Sequence, residues 1–291
     1  MNVEKQITIV VAEIMGHQPA LDIESNRLRT NDITAAFDKT KASSWCISVV
    51  GSSLIRLQLF TEQNFHFIET MGVIAVARYT FELSVWLKLF KLDQRYGLVY
   101  YSELLDTQRK YWKDYRKQLD REISLLKRFE QQENDAKAKI TDLDNLKAQF
   151  VKMQAASDAV DKEAARHFSI YVEQAKVNGY GFQAFLVAKK VVPEIDAAII
   201  EIDSEQEAFN LHLSPHVKAL IPNRWQWRQM AAKVNLADEY DFIYTFASKL
   251  LHATPASITT DQKNLELPEL LLFLRYINVK LLDVLDLASE Y

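Results

Sequence analysis

The sequence predicts an all-α protein: a helical bundle that carries a long antiparallel helical arm. Three observations lead there. Glycine and proline number six each in 291 residues, roughly 4% together against about 12% in average usage, too few for the turns of a sandwich, a barrel or a glycine-rich nucleotide fold. Neither residue occurs from Leu98 to Asn178. Within that span the apolar positions Leu119, Ile123, Leu126 and Phe129, and later Leu143, Leu146, Phe150 and Met153, recur at steps of three and four, a helical period with coiled-coil character.

The elements follow in order. An apolar helix runs to about Ile14, with a loop around Pro19. Asn31 is placed to cap a helix from about Asp32 to Phe60. A second helix, from about Thr61 to Leu92, starts with polar capping residues. The arm then rises and returns, with one uninterrupted helix as the alternative, and Gln131 to Lys137 mark a polar tip because they offer no apolar anchor larger than alanine. Each leg would be about 40 residues, or roughly 60 Å. Asn178-Gly179-Tyr180-Gly181 is a turn, and Pro193, Pro215 and Pro222 divide the chain beyond it into shorter helices. Asp238 can cap a helix over Tyr240–His252, which Thr254-Pro255 stops. Pro268 opens a last, leucine-dense helix through Leu287. The expected organisation is thus a bundle half at 1–97, the arm at 98–178 and a second bundle half at 179–291.

Composition excludes several classes. A formal charge of −4 gives no global case for binding nucleic acid or a membrane surface, so any such contact must be local. The single cysteine, Cys46, excludes an internal disulfide framework and a multi-thiolate metal site. The most apolar window, Met71 to Ala77, ends at Arg78, far short of the ~20 residues that span a bilayer. The N-terminus does not read as a secretory signal, so the expected setting is cytoplasmic, with no membrane partner. No cofactor or metal is expected: there is no phosphate loop, dinucleotide fingerprint or zincin motif, and His66 with Glu69 lacks the repeated carboxylates of a di-iron bundle.

Three constellations can carry chemistry. Tyr240, Tyr244, Ser248 and His252 are spaced by four, which puts them within about 120° of one helix face. His252 suits general acid or base work near neutral pH, with Ser248 and the tyrosines orienting a substrate. Local hydrogen bonding at a helix end would give the same pattern. Arg78 and Glu82 lie one turn apart on a very apolar helix, where charges must pair or face a cleft. They are either an internal ion pair or a guanidinium presented to a phosphate and steadied by the glutamate. Gln108 to Arg128 holds eight Lys/Arg and three Asp/Glu, interleaved with Tyr111, Trp112 and Tyr115. Arg109, Lys113, Arg116 and Lys117 are the candidate RNA contacts there. A packing stripe with a solvated cationic face would explain the same segment.

The Arg-x-x-x-Glu helix, followed far downstream by Tyr-x-x-x-Tyr-x-x-x-Ser-x-x-x-His-Ala-Thr-Pro, resembles a large bacterial family of unknown function. That family is grouped with HEPN-like (higher eukaryotes and prokaryotes nucleotide-binding) domains. Trp225-Gln-Trp227 ahead of the tyrosine helix fits the same pattern. The resemblance covers about Glu69 to Phe90 and about Trp225 to Ile258. It implies a helical bundle in which the two motif helices meet, and a metal-independent endoribonuclease, often working as a dimer and often a toxin or anti-phage effector. His252 would activate a ribose 2′-hydroxyl and Arg78 would stabilise charge on the phosphate. The sequence departs from the nuclease pattern in one respect. Thr245 to Leu251, just before His252, contains no arginine, so Arg78 would serve from another helix. The competing expectation is a non-enzymatic scaffold that binds a partner, or itself, through the arm.

Overall fold

The computed structural model describes residues 2–30, 36–65, 69–140, 146–252 and 265–291, and among these it is helical with no strand. It forms two compact units, one of residues 1–102 with 213–291 and one of residues 103–212. No helix among the described residues is long and apolar enough to cross a membrane.

The first unit opens with α1 (Val3–Gly16) and α2 (Gln18–Arg29). The expected loop at Pro19 is instead the first turn of α2, where the missing N–H would have no helical partner anyway. α3 (Ala42–Phe65) and α4 (Thr70–Leu92) follow. The expected boundary at Thr61 lies inside α3: the Thr61 hydroxyl is buried and donates back to the Leu57 and Gln58 carbonyls, so it caps nothing. Asn31 and Asp32 lie outside the described residues. α4 buries side chains on every face, Val73, Ile74, Ala77, Phe81, Leu87 and Phe90 among them, as a central helix must. Gly51 of α3 lets α2 approach closely, and the Ser25 hydroxyl donates to its carbonyl at 2.9 Å. The buried Cys46 thiol donates to the Gln94 carbonyl, and burial pushes its pKa up to about 12, so it is an inert core group.

α5 (Tyr96–Ala138) is one continuous helix. The expected polar tip is its last two turns, sustained by the i,i+4 pairs Gln131–Asp135 and Lys137–Glu133. The return is not one helix. It comprises α6 (Leu146–Ala164), α7 (Val172–Asn178) and α8 (Tyr180–Leu186), followed by a π-turn at Val187–Val191 and then α9 (Val192–His212). The break before α7 is held by Glu122 of α5, which is 1% exposed and accepts from the Ser169 hydroxyl and the Tyr171 N–H. Gly179, at φ 88°, makes the next corner. Pro193 does not break the chain: the wide turn just before it accommodates the missing N–H.

The unit of residues 103–212 therefore extends past the expected arm boundary at 178. α9 runs antiparallel to α5, as Arg116–Asp196 and Arg109–Asp203 show, and the chain through α6 returns in the same sense, with Ser157 on Glu133 and then His167 near Arg128. Leu119, Leu126 and Phe129 are buried as their spacing predicts, against Val160, Ala164, Val172 and Val187. Phe150 is 68% exposed, because the return leg packs through residues nearer its base; Leu143 is outside the described residues.

Back in the first unit, α10 (Pro215–Lys218) and α11 (Trp227–Lys233) lead to a single helical run. It consists of α12 (Ala237–Glu239), a π-turn (Tyr240–Tyr244) and α13 (Thr245–Leu251). Asp238 sits in its first turn and Leu236 occupies the cap position, after Asn235 at φ 59°. α14 (Leu267–Ser289) starts with Pro268 in its first turn, and Glu266 and Glu269 form a capping box.

Candidate functional site

The two sequence motifs meet. α13 and the π-turn both pack on α4. Arg78 Nε donates to Glu82 Oε1 at 3.0 Å, and Arg78 Nη2 donates to the Tyr244 hydroxyl at 3.2 Å. The guanidinium carbon lies 4.7 Å from the centroid of the Tyr244 ring, within cation–π range. Arg78 and Glu82 each keep 26% of their side-chain surface exposed, so the pair sits in a wall, neither sealed nor free. Two of the five Arg78 N–H donors serve these bonds, which leaves three others for an acceptor.

Burial raises the Glu82 carboxyl above its ordinary range, and the bond and charge of Arg78 pull it back without cancelling the effect. A carboxyl raised by folding favours the fold in its protonated form. Its contribution is therefore greatest below the ordinary carboxylate pKa and is lost as pH rises through the raised value. Arg78→Met is expected to push the Glu82 pKa higher still, read from the glutamate carboxyl carbon by NMR titration. An unchanged midpoint would mean that the guanidinium does not act on Glu82. Burial also raises the Tyr244 phenol, with Arg78 again opposing.

The π-turn explains how the tyrosines are presented. With more than four residues per turn, positions four apart stand almost directly over one another. The Tyr240 and Tyr244 rings accordingly stack at 4.8 Å with planes 17° apart, and Phe81 packs against both. The Thr245 hydroxyl donates to the Tyr240 and Asp241 carbonyls within the widened turn. Beyond Tyr244 the aromatic wall continues through Trp227 and Trp225, and Trp225 stacks on Trp86 of α4 at 4.0 Å.

Two groups in this wall, Ser248 Oγ and Trp225 Nε1, are buried without a hydrogen-bond partner among the described residues. Ser248 lies one turn beyond Tyr244. A buried polar atom left unpaired costs about 1–3 kcal/mol. His252 ends α13: its N–H donates to the Ser248 carbonyl at 3.2 Å, its backbone turns extended, and its side chain is exposed. It lies about 12 Å along the helix axis from Tyr244. Thr254 and Pro255 lie outside the described residues, as does His66.

One group of residues escaped the sequence reading. Glu239, immediately before the π-turn, accepts from the Tyr276 hydroxyl at 3.0 Å and from Lys280 Nζ at 2.9 Å. Lys280 is 5% exposed and also reaches Asp283 at 3.3 Å. The Tyr276 phenol is raised far above its ordinary range by burial and by Glu239. The available signal was Lys280 itself, a lone lysine in the leucine-dense stretch of α14.

The candidate RNA contacts of the arm are differently placed. Arg109 and Lys113 both pair with Asp203 of α9. Arg116 pairs with Asp196 of α9 and with Asp120. Only Lys117, paired with neighbouring Asp114 at 3.1 Å, stands on the outer face of α5 with its side chain 69% exposed. The first three cations thus pin α9 to α5.

No protein-family model, curated protein or solved structure matches the chain.

Proposed function

We propose that the chain is a HEPN-like effector that acts on RNA or a nucleotide, as a metal-independent endoribonuclease, within a bacterial toxin or anti-phage system in the cytoplasm. The observation that carries this reading is the meeting of its two motifs: Arg78, steadied by Glu82, is bonded to Tyr244 on a half-buried aromatic wall. A guanidinium with donors to spare beside flat rings suits a phosphate attached to a base. In this mechanism His252 takes the ribose 2′-hydroxyl proton. Arg78 stabilises the charge that develops on the phosphate, and Ser248 and Tyr240 orient the nucleotide.

The test is RNA sequencing after induced expression, together with incubation of purified protein with RNA in chelator. Wild type is expected to cleave and His252→Ala to lose at least about a hundredfold in rate, the lower range for a general base. Equal cleavage by both would assign the activity to a contaminant. No cleavage by either would favour the second reading, a scaffold that binds a partner or itself through residues 103–212. That reading draws on the apolar side chains this unit exposes, notably Phe168 at 84% and Phe182 and Phe185 at 55% each.

A further inference from the structure

We propose that the outer face of α5 is a binding stripe for single-stranded nucleic acid, built on Lys110, Lys117, Arg121 and Arg128 with Tyr111 as its stacking platform. The assignment does not depend on the Arg78 site. At 100° per residue these four cations fall within about 40° of arc, along about 27 Å of helix. They lie about 80–140° around the helix from Arg109 and Arg116, which pair with α9.

Lys110 and Arg121 are exposed and have no ion-pair or hydrogen-bond partner among the described residues. Arg128 is exposed as well, with its guanidinium beside the Phe129 ring and near His167. The acidic residues of this face are already answered, Asp114 by Lys117 and Asp120 by Arg116. The face is therefore net cationic in a chain whose formal charge is −4.

Two shallow hollows lie along the stripe. One, of about 390 Å³, is lined by Thr107, Lys110, Tyr111, Asp114 and Tyr115. The other, of about 500 Å³, is lined by Asp120, Arg121, Ser124, Leu125 and Arg128. Tyr111 is 59% exposed, and its ring lies parallel to that of Tyr115 within 1°. A large exposed phenol on the flank of the stripe, about 100° around the helix from Lys110 and sharing a hollow with it, with a second ring set parallel to it, has the chemistry of base stacking beside phosphate contacts. A duplex would offer its phosphates but not its base faces, and an acidic protein would have no use for the parallel rings. The combination therefore favours a single strand.

The experiment is fluorescence anisotropy on the whole 291-residue chain with labelled oligothymidine and oligouridine of about 20 nucleotides, a length matched to the stripe and its flanks. The DNA probe lacks the 2′-hydroxyl, so cleavage at the Arg78 site cannot obscure binding. Four cations predict a log–log salt slope of about −3, and Lys110→Gln/Arg121→Gln/Arg128→Gln should reduce its magnitude by about 2. Tyr111→Ala should weaken binding by about fivefold or more. Lys189→Gln/Lys190→Gln, which removes two exposed cations from the π-turn before α9, should leave affinity unchanged. Wild-type binding too weak to detect at low salt, or equal loss in the control pair, would overturn the stripe. Loss on charge removal with none in Tyr111→Ala would overturn the single-strand assignment.

Discussion

Glu239→Ala is expected to destabilise the protein by about 3 kcal/mol, the low end for removing one partner of a buried pair. The value is at the low end because Glu239 keeps 31% of its side chain exposed, whereas Lys280 keeps 7%. Its loss leaves a nearly buried ammonium with only Asp283 at 3.3 Å, and leaves the half-buried Tyr276 hydroxyl without its acceptor. Lys280→Met should be milder, about 1 kcal/mol, because it removes the buried charge and keeps the packing stem, while Glu239 can turn to water. Urea midpoints of the two variants test the order, and a larger loss in Lys280→Met would refute the account. The effect should also reach the site. Glu239 anchors the residue before the π-turn to α14, so its removal should loosen the Tyr244–Arg78 contact. In Glu239→Ala the Glu82 titration should shift, since Tyr244 no longer steadies Arg78.

Gly97→Ala should cost about 2–3 kcal/mol, more than the helix-forming advantage of alanine returns. A methyl group there would overlap the Ala42 carbonyl oxygen and come within 3.0 Å of Cys46 Sγ. Backbone cannot swing aside as a side chain can, so α3 and the first turn of α5 would have to separate. Gly181→Ala is the contrast. The atoms it would meet are the carboxylate end of Glu130, a flexible side chain free to move. That substitution should be neutral, or stabilising by up to about 1 kcal/mol. Thermal and urea unfolding of the two variants side by side would measure the difference, and equal losses would rule out this explanation.

The legibility of the chain varied with the range of the interaction. The centrality of α4 could be read from three charges in twenty residues, because an all-round apolar helix has nowhere else to go. The stripe Leu119, Leu126 and Phe129 was equally plain. Spacing also predicted one shared face for Tyr240, Tyr244, Ser248 and His252 and set Arg78 one turn from Glu82, leaving open whether the two form an internal pair or face a phosphate. Spacing failed wherever a residue had two local uses. Thr61 and Pro19 look like boundary residues, yet one back-bonds inside a helix and the other begins one. Phe150 keeps the helical period and still faces outward, because periodicity names a face without saying what covers it.

The sequence alone determined the fold class, the breaker-free span from Leu98 to Asn178 and the placing of Arg78 one helical turn from Glu82, since each depends on residues close together in the chain. Tertiary structure decided the rest. Arg109 and Arg116 meet aspartates 94 and 80 residues away, so only the folded chain shows which cations of α5 are engaged and which stand open. Arg78 meets Tyr244 across 166 residues, and Glu239 meets Lys280 on another helix. Local periodicity fixes the direction of a side chain on its own helix. The partner it finds depends on how the helices pack.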